Sequence, residues 1–408
     1  IGRGEPVQDT ARVLSRYLDG IMIRTFEQQE VQDLADYGTI PIINGLTDYA
    51  HPCQILADLM TIREYKQSFK GLKLCFIGDG NNVANSYIVG GIKLGMEVSI
   101  ACPKGYEPDE DIKKWAEKNG SFTCTESVSE AIKDADVILC NKSSMSEKNL
   151  SGAKNLKYIG LFATGYNNVD LEYTRKKGIT VCNAGSYSTE AVAQHVFAFI
   201  LHYYNTISRY DEFVKNKGWI NTNKFSPFME MKELFGKTIG IIGYGSIGQK
   251  VAVIANAFGM NVLAYSRSAL KEKIQSDEVT YATVDEILEK SDIVTIHCPL
   301  NKDSEKMCNK EFFTKMKKDS LFINTSRGGV ANQEDLMWAL NNNVIQYAAL
   351  DVIEKEPMPE DCKLIETKNL VITPHAAWAP LETRERLIKI VSKNLQKWVA
   401  GTPINVIE

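Results

Sequence analysis

The sequence predicts an α/β protein of two domains, each of them a doubly wound parallel sheet. Short apolar runs of strand length alternate with longer amphipathic segments over most of the chain, which is typical of parallel strands joined by crossover helices. This alternation occurs twice, before and after a long helical segment near the middle of the chain. Two glycine-rich turns, at Gly78 and Gly243, each follow an apolar run, as expected of two related βα units.

The apolar runs place the strands in order. The first group is "LKLCFIGDG", "EVSIACP", "ADVILCN", "KYIGLFATG" and "TVCNA", and the second is "TIGIIGYG", "NVLAYS", "DIVTIHCP", "LFINTS", "QYAALDV" and "LVITPHA". Between the groups, Ser188 to Val214 is predicted to form one long helix with an apolar face, which links the two sheets. The polar segment "KGWINTNKFSPF" that follows is predicted to be a loop.

Composition and charge exclude several classes of partner. The chain has 408 residues, 44% hydrophobic and 24% charged, which is enough apolar material for two or three domain cores. Its formal net charge of −4 offers no positive field to nucleic acid or to an anionic membrane surface. No apolar run reaches the roughly 18 residues of a membrane span, and no basic segment leads into an apolar one near the start. We therefore expect a cytoplasmic protein that binds small molecules.

Cysteine usage indicates reduced thiols. The nine cysteines are odd in number, widely scattered, and never form a C-x-x-C pair. Disulfide frameworks and zinc sites need paired or clustered cysteines. We therefore expect neither disulfides nor a metal site.

The second glycine-rich turn carries the most specific signal. In "KTIGIIGYGSIGQKVAVIANAFGMNVLAYSR", the pattern G-x-G-x-x-G follows a strand, opens a helix and precedes a second strand. The glycines allow a tight turn and close approach of the backbone to a pyrophosphate, while the helix N-terminus adds N–H donors. The turn therefore predicts a Rossmann-type dinucleotide site. Its candidate cofactor-binding residues are Gly243, Tyr244, Gly245, Ser246, Ile247 and Gly248.

The end of the second strand bears on the choice between NAD and NADP. An acidic residue usually stands there in NAD sites to hold the ribose 2′-hydroxyl, but this chain has Ser266 and Arg267. Because a guanidinium pairs well with phosphate, a 2′-phosphate would be tolerated or preferred. The alternative is that Arg267 points into solvent. The predicted cofactor is therefore NAD or NADP.

Three later strand ends carry residues suited to reducing a 2-oxo acid, namely Arg327, then Asp351 with Glu356, then His375. Ligands of open α/β sheets bind at the carboxyl ends of strands, so all three loops can reach a nicotinamide. Arg327 suits a substrate carboxylate by bidentate pairing. His375 suits protonation of the carbonyl oxygen, because imidazole titrates near neutrality, and Glu356 could orient its ring. Each residue alone has an ordinary structural explanation, but together and in this order they favour an active site.

From about residue 135 to the C-terminus, these motifs resemble those of the D-2-hydroxyacid dehydrogenases. The resemblance implies that Arg327, Glu356 and His375 are the catalytic set, with His375 as the acid/base. It implies too that backbone N–H groups around Thr164 and Gly165, in "FATGYNNVD", bind the substrate carboxylate.

Further residues follow from the same resemblance. The segment "HAAWAP" is most similar to the glycerate dehydrogenase (hydroxypyruvate reductase) branch, which implies a small, polar 2-oxo acid and Trp378 as a substrate-binding residue. Asp351 would lie close to the nicotinamide carboxamide. The resemblance adds to the candidate cofactor-binding residues Cys298, Pro299, Thr325 and Asp351.

Residues 1 to about 131 resemble an ornithine carbamoyltransferase instead. The matching stretches are "GRGEPVQDTARVLSRYLDGIMIRTF", "IPIINGLTDYAHPCQILADL" and "GLKLCFIGDGNNVANSYIVGGIKLGMEVSIACPKGYEP". The resemblance implies that His51 and Gln54 touch a carbamoyl group and that Asn82 lies near the amino-acid substrate. However, the Ser-x-Arg-Thr and His-Cys-Leu-Pro motifs of that family are absent from the sequence, so we interpret the three residues as vestigial.

The junction of the two resemblances, at residues 129–150, sets the predicted domains. Residues 1–70 would be a carbamoyltransferase-like remnant, residues 71–187 plus 380–408 a chimeric substrate domain, and residues 188–379 the NAD(P)-binding Rossmann domain. The carbamoyltransferase-like strands would complete the sheet of the substrate domain. We expect the active site in the cleft between this Rossmann domain and its flavodoxin-like partner.

Three functions remain open from the sequence. The leading one is transfer of a hydride between NAD(P)H and a small 2-oxo acid, with hydroxypyruvate/D-glycerate or glyoxylate/glycolate favoured. The second is a dinucleotide-binding fusion without catalysis, and the third is an ornithine carbamoyltransferase. A homodimer is expected mainly from the resemblance. The segment "QHVFAFILHYY" could supply its apolar surface, although a helix buried within one chain would have the same pattern.

Overall fold

The computed structural model describes residues 5–222, 225, 229–267 and 275–407 of the chain. Contacts between residues divide the chain into two units. Unit one comprises residues 1–162, 168–183 and 404–408, and unit two comprises residues 163–167 and 184–403. Both units are therefore discontinuous in sequence.

The described part of unit one contains three small parallel sheets and the helices that connect their strands. Its elements in chain order are α1 (Val7–Leu14), β1 (Ile21–Arg24), α2 (Gln28–Tyr37), β2 (Ile42–Leu46), α3 (Pro52–Lys66), β3 (Lys73–Ile77), α4 (Asn82–Lys93), β4 (Glu97–Ala101), α5 (Glu110–Asn119), β5 (Phe122–Thr125), α6 (Val128–Ala131), β6 (Val137–Cys140), α7 (Glu147–Leu150), β7 (Tyr158–Leu161), α8 (Leu171–Lys176) and β8 (Thr180–Cys182).

The strands of unit one pair within β1-β2, within β3-β4-β5 and within β6-β7-β8. The expected single sheet across the junction is therefore not formed, since β3 and β6 do not pair in the part of the chain that the structure describes. Packing joins the two three-stranded sheets instead. Ile77, at the end of β3, packs against a core cluster that includes the buried Ile138 and Ile159 of β6 and β7. Ile77 thus contacts the core of the second sheet, although the two sheets have separate core clusters and no shared hydrogen-bonded ladder among the described strands.

Unit two, in the residues that the structure describes, contains one large parallel sheet. Its elements in chain order are α9 (Thr189–Asn205), α10 (Ile207–Lys215), β9 (Thr238–Ile242), α11 (Ser246–Ala257), β10 (Asn261–Tyr265), β11 (Thr280–Tyr281), α12 (Val284–Lys290), β12 (Ile293–Ile296), α13 (Lys310–Lys315), β13 (Leu321–Asn324), a 3₁₀ turn (Gly328–Val330), α14 (Gln333–Asn341), β14 (Tyr347–Leu350), a second 3₁₀ turn (Lys363–Glu366), β15 (Leu370–Ile372) and α15 (Leu381–Val399).

The seven strands of this sheet lie in the order β11-β10-β9-β12-β13-β14-β15, all parallel. This is the doubly wound order of a Rossmann domain with one further strand, and it confirms the predicted fold class for unit two. The central strands β12 and β13 are buried at every position, because helices cover both faces of the sheet. The order reverses between β9 and β12, so their carboxyl ends form the switch point where ligands of such sheets bind.

The long helix predicted for Ser188 to Val214 is two helices. Thr206 separates α9 from α10 with a left-handed backbone, φ 50°. The apolar residues of α9, including Phe197 and Ile200, are buried in the core of unit two. The apolar pattern of this segment is thus explained within one chain. Of the predicted loop after it, residues 217–222 and 225 contain neither helix nor strand, and the remainder lies outside the described residues.

The two ends of unit two differ from the predicted domain limits. Helix α15, predicted to belong to the substrate domain, groups with unit two. There Arg386 donates a hydrogen bond to the Tyr187 carbonyl (2.7 Å) and lies 3.7 Å from the Glu190 carboxylate. Residues 404–407 return to unit one, where the Ile407 N–H donates to the Val181 carbonyl (2.8 Å) at the edge of β8. Within the described ranges, no helix is both long and apolar enough to cross a membrane. The remaining domain limits stay a prediction.

Candidate active site

The glycine-rich turn of unit two lies between β9 and α11, at the switch point of the sheet. Gly243 has a left-handed φ of 102°, and a Cβ there would lie 2.5 Å from the backbone nitrogen of Cys298. A Cβ at Gly248 would lie 2.3 Å from the Gly243 carbonyl oxygen. Side chains are therefore excluded at both positions by backbone atoms. At Gly245, by contrast, a Cβ would meet no atom of the described residues within 4 Å, so among them the turn faces open space at the N-terminus of α11.

This open space fits the pyrophosphate of a dinucleotide. The first N–H groups of α11 have no partner within the helix and carry its positive dipole. Tyr244 and Ile247 anchor the turn by packing against the core of unit two, while the Ser246 hydroxyl lies 2.9 Å from that of Ser186. Burial raises the pKa of Tyr244. Directly after β13, the Thr325 hydroxyl is buried and finds no partner among the described residues, as expected where a ligand supplies one.

The remaining predicted cofactor residues lie around the same edge of the sheet. Ser266 and Arg267 follow β10, as predicted, and Arg267 forms an ion pair with Asp303 in which both side chains are mostly exposed. Cys298 and Pro299 follow β12, where burial raises the pKa of the Cys298 thiol. Neither predicted alternative for Arg267 included a carboxylate partner.

Arg327 lies at the end of β13 on a loop that is fixed by Asn324. The buried Asn324 side chain donates to the Arg327 carbonyl (2.9 Å) and accepts from the N–H of Ser326 (3.0 Å). The guanidinium donates to the Ser326 carbonyl (2.7 Å) and lies against Gly165, where a Cβ would be 2.1 Å from Nη2. The segment Ala163–Asn167 groups with unit two, so the structure brings the predicted carboxylate-binding loop and the predicted cation together within one unit.

The guanidinium of Arg327 is largely buried and lies near two groups that favour its charged form. Burial lowers the pKa of the guanidinium, while the nearby Glu356 and Tyr187 act in the opposite direction. An arginine remains protonated despite such a change. A partly desolvated cation of this kind pairs more strongly with a carboxylate than an exposed one does.

His375 and Glu356 form the predicted pair. His375 Nδ1 lies 2.7 Å from Glu356 Oε2, and both side chains are about a quarter exposed. This contact leaves Nε2 of the imidazole for a substrate. The backbone of His375 has a left-handed φ of 53°, which is uncommon for a residue with a Cβ and indicates that surrounding bonds hold the turn in place.

Asp351 provides those bonds. Its side chain is 1% exposed and accepts hydrogen bonds from the Thr373 hydroxyl (2.5 Å) and from the N–H groups of Ala376 (2.8 Å) and Ala377 (3.0 Å). Its backbone carbonyl accepts from the N–H of His375 (2.8 Å). The role predicted for Asp351 beside the nicotinamide stays a prediction, whereas its contacts with the histidine turn are structural.

The two other predicted substrate residues also lie in unit two. The Thr164 hydroxyl donates to the Gly185 carbonyl (2.5 Å), which fixes the loop that carries Gly165. Trp378 is half-buried and follows His375 by three positions in the same turn. Sequence reasoning missed Asn324, which gives no motif of its own, although a buried polar residue at the end of an apolar strand is a usable signal.

The predicted carbamoyl-type residues lie together in unit one. His51 precedes α3, its N–H donates to the Ser86 hydroxyl (2.8 Å), and its buried Nδ1 has no partner among the described residues. Burial, and then the charge of Arg24, lowers the pKa of this imidazole. Asn82 donates to the Thr47 carbonyl (2.6 Å). The side-chain amide of Gln54 donates a hydrogen bond to the Asp58 carboxylate (3.1 Å) one turn along the same helix.

Comparison with known proteins tests the dehydrogenase resemblance of unit two. The profile described as D-isomer specific 2-hydroxyacid dehydrogenase, NAD binding domain, matches residues 197–377. A hydroxypyruvate reductase of Blautia hydrogenotrophica is 38% identical over 289 residues, which cover 70% of this chain and 89% of that protein. The chain belongs to the D-isomer specific 2-hydroxyacid dehydrogenase family. This D-2-hydroxyacid dehydrogenase therefore has the NAD-binding domain that its glycine-rich turn predicts.

Solved structures resemble this D-2-hydroxyacid dehydrogenase over most of their length. An acyclic imino acid reductase in complex with NADPH and D-Arg aligns with a TM-score of 0.64 and 28% identity, covering 83% of this chain and 100% of that one. D-Lactate dehydrogenase from Aquifex aeolicus, complexed with NAD and lactic acid, aligns with a TM-score of 0.61 and 31% identity, covering 72% and 93%. NAD and NADPH are thus both bound by proteins of this fold.

Residues 1–162 of this dehydrogenase are similar to a different family. The aspartate/ornithine carbamoyltransferase profiles match residues 1–64 (carbamoyl-P binding domain) and 70–162 (Asp/Orn binding domain). Ornithine carbamoyltransferase of Geobacter sulfurreducens is 53% identical over 140 residues, which cover 34% of this chain and 46% of that protein. The predicted fusion of two families is confirmed, and the chain spans less than half the length of this carbamoyltransferase relative.

Proposed function

We propose that the protein transfers a hydride between NAD(P)H and a small 2-oxo acid, with hydroxypyruvate/D-glycerate or glyoxylate/glycolate as the favoured pair. The observation that carries this proposal is the contact of 2.7 Å between His375 Nδ1 and Glu356 Oε2 beside the partly desolvated Arg327. These three side chains belong to the same unit as the glycine-rich turn. A proton donor, its carboxylate partner and an anion-binding cation are the groups that reduction of a 2-oxo acid requires.

Arg327 binds the substrate carboxylate in this proposal. Its guanidinium lies against Gly165, so a carboxylate held by Arg327 is also near the backbone N–H groups around Thr164 and Gly165. Donors from both sides orient the substrate and align its carbonyl carbon. The absence of a side chain at Gly165 leaves the space in which the guanidinium lies.

His375 supplies the proton. The nicotinamide cofactor, when bound, supplies the hydride that reduces the carbonyl carbon. As the carbonyl oxygen gains negative charge, the imidazolium of His375 donates its Nε2 proton to that oxygen, and the neutral ring remains bonded to Glu356 through Nδ1. In the oxidation direction the neutral imidazole accepts the hydroxyl proton at the same nitrogen. Glu356 stabilises the imidazolium and fixes the ring, as a carboxylate does for a catalytic histidine.

Trp378 and the similarity to a hydroxypyruvate reductase favour a small polar substrate. Arg267 favours acceptance of NADPH as well as NADH, because its guanidinium can pair with a 2′-phosphate. Asp303 competes for that guanidinium in an exposed ion pair, and such pairs are weak. We therefore expect Asp303→Asn to improve kcat/KM for NADPH relative to NADH, measured with both cofactors and one substrate.

The test is nicotinamide absorbance with purified protein, NADH or NADPH, and hydroxypyruvate, glyoxylate or pyruvate. His375→Ala should lower kcat by about 10²- to 10⁴-fold, the usual effect of removing a general acid. The matched control is His202→Ala, since His202 is exposed on α9 and lies outside the candidate site. Equal loss in both variants would indicate a folding defect and not a catalytic role.

Binding of cofactor measured by nicotinamide fluorescence separates the alternatives. Binding without turnover of any 2-oxo acid would contradict the proposed function and favour a dinucleotide-binding fusion without catalysis. Citrulline formation from ornithine and carbamoyl phosphate would then test unit one.

A further inference from the structure

Beneath the catalytic histidine turn lies a chain of hydrogen bonds that begins on α9. The turn of residues 373–377 is fastened to Asp351 by the Thr373 hydroxyl, two N–H groups and the His375 N–H. On the other side of Thr373, His195 Nε2 lies 3.0 Å from the hydroxyl oxygen and 3.7 Å from Asp351 Oδ1. The chain of contacts therefore runs from His195 through Thr373 to Asp351 and then to the backbone of His375.

The hydrogens available to His195, Thr373 and Asp351 determine which atom donates in each of these hydrogen bonds. A threonine hydroxyl has one hydrogen, and Asp351 has only acceptor oxygens when ionised. The contact of 2.5 Å between Thr373 and Asp351 uses that hydrogen. The Thr373 oxygen must therefore accept from His195, so Nε2 of His195 carries a proton. The His195 ring also packs edge-to-face with Phe199, with ring centroids 4.6 Å apart at an interplanar angle of 79°, which holds the imidazole in this orientation.

We propose that His195 and Thr373 are positioning residues of the dehydrogenase, which hold the turn that carries His375 in its catalytic geometry. The inference rests on the proposed function of His375. A left-handed backbone at a histidine is unfavourable by itself, so the turn keeps this conformation only while its bonds to Asp351 are complete. Thr373 supplies one of these bonds, and the N–H of His195 orients the hydroxyl that makes it.

Two matched pairs of variants test the roles. Thr373→Val removes the hydroxyl at nearly constant shape, and we expect kcat to fall about tenfold with KM for the 2-oxo acid nearly unchanged, as for loss of one buried bond to a charged group. Thr373→Ser keeps the hydroxyl and should restore kcat to within about threefold of the parent. His195→Gln keeps an N–H donor near the position of Nε2, whereas His195→Leu does not, so only the leucine variant should lose kcat. Equal kcat in Thr373→Val and the parent would overturn the proposal.

Nitrogen NMR of the histidine rings gives a readout that is independent of turnover. The chain has five histidines, so the His195 signals can be assigned from their absence in His195→Gln. We expect a protonated Nε2 in the parent and a changed Nε2 environment in Thr373→Val. An unprotonated Nε2 would overturn the proposal. Inactive parent protein with a protonated His195 Nε2 would instead refute the proposed function while leaving the hydrogen-bond chain intact, so the two failures are distinguishable.

Discussion

A methyl group added at Gly165 should displace the cation that binds the substrate. In Gly165→Ala the new Cβ would lie 2.1 Å from Arg327 Nη2 and 3.2 Å from its Cζ. An ordinary contact needs about 3.5 Å, so the guanidinium must move by roughly 1.4 Å. The backbone at Gly165 is outside the left-handed region, so alanine itself fits there without strain.

The displacement sets the size of the effect. Misplacing a binding group by about 1 Å can cost about 10²-fold in rate, which corresponds to ~2.7 kcal/mol of transition-state stabilisation. Because Arg327 binds the carboxylate of the 2-oxo acid in the proposed mechanism, we expect kcat/KM for that substrate to fall by about this factor. The dissociation constant of NADH should stay within about twofold, since the glycine-rich turn is unchanged.

Steady-state kinetics with hydroxypyruvate, together with fluorescence titration of NADH, measure both quantities. The control is Gly20→Ala, where the added Cβ would be 3.5 Å from the Pro41 carbonyl oxygen, an ordinary contact. If Gly165→Ala reduced hydroxypyruvate as efficiently as the parent, the assignment of Arg327 and its loop to substrate binding would be refuted.

Three further outcomes follow from the site and its sheet. Glu356→Gln keeps an oxygen that can accept from His375 Nδ1 (2.7 Å) but removes the charge, so kcat should fall about tenfold at constant KM; an unchanged kcat would argue against stabilisation of the imidazolium. Gly248→Ala places a Cβ 2.3 Å from the Gly243 carbonyl oxygen, so thermal unfolding should show a loss of ~1–3 kcal/mol together with weaker NADH binding, and a variant with parental Tm and affinity would contradict this. Burial lowers the pKa of His297 to about 3, below the ordinary value of about 6.5, so the folded state binds this proton less readily than the unfolded state. The free energy of unfolding should therefore be highest above about pH 6.5 and fall by at most ~1.4 kcal/mol per pH unit as the pH drops towards 3. Urea unfolding of His297→Gln should show a smaller fall over this range. An equal pH dependence in both proteins would exclude His297 as the cause.

Much of the fold was predictable because buried parallel strands leave a strong local pattern. Each predicted apolar run contains a strand of the structure, and the glycine-rich turn lies where its spacing places it. The short strands β1, β2, β5 and β11 were missed, since they are partly exposed and their apolar runs are brief. The break at Thr206 gave no signal, because neither glycine nor proline marks it.

The candidate site was predictable to the extent that residues follow strand ends. Such positions converge at one edge of a parallel sheet, which is why the sequence could group Arg327 and His375 in one candidate site. Their roles stay predictions. Partners from distant parts of the chain were not predictable. His195 looks like an ordinary polar position on a helix, and Asp303 gives no sign that it pairs with Arg267, because both relationships depend on tertiary contacts and not on spacing. The prediction that strands pair across the junction was wrong for the same reason.

The return of the last residues to unit one has a consequence for handling the protein. The Ile407 N–H and the antiparallel bridge between Cys182 and Val406 cover the outer side of β8. An uncovered strand edge offers a row of free N–H and carbonyl groups to any other extended chain. Deleting residues 404–408 should thus leave the chemistry of unit two in place while making the protein self-associate through β8. A shortened form would therefore aggregate while its remaining soluble fraction kept its activity.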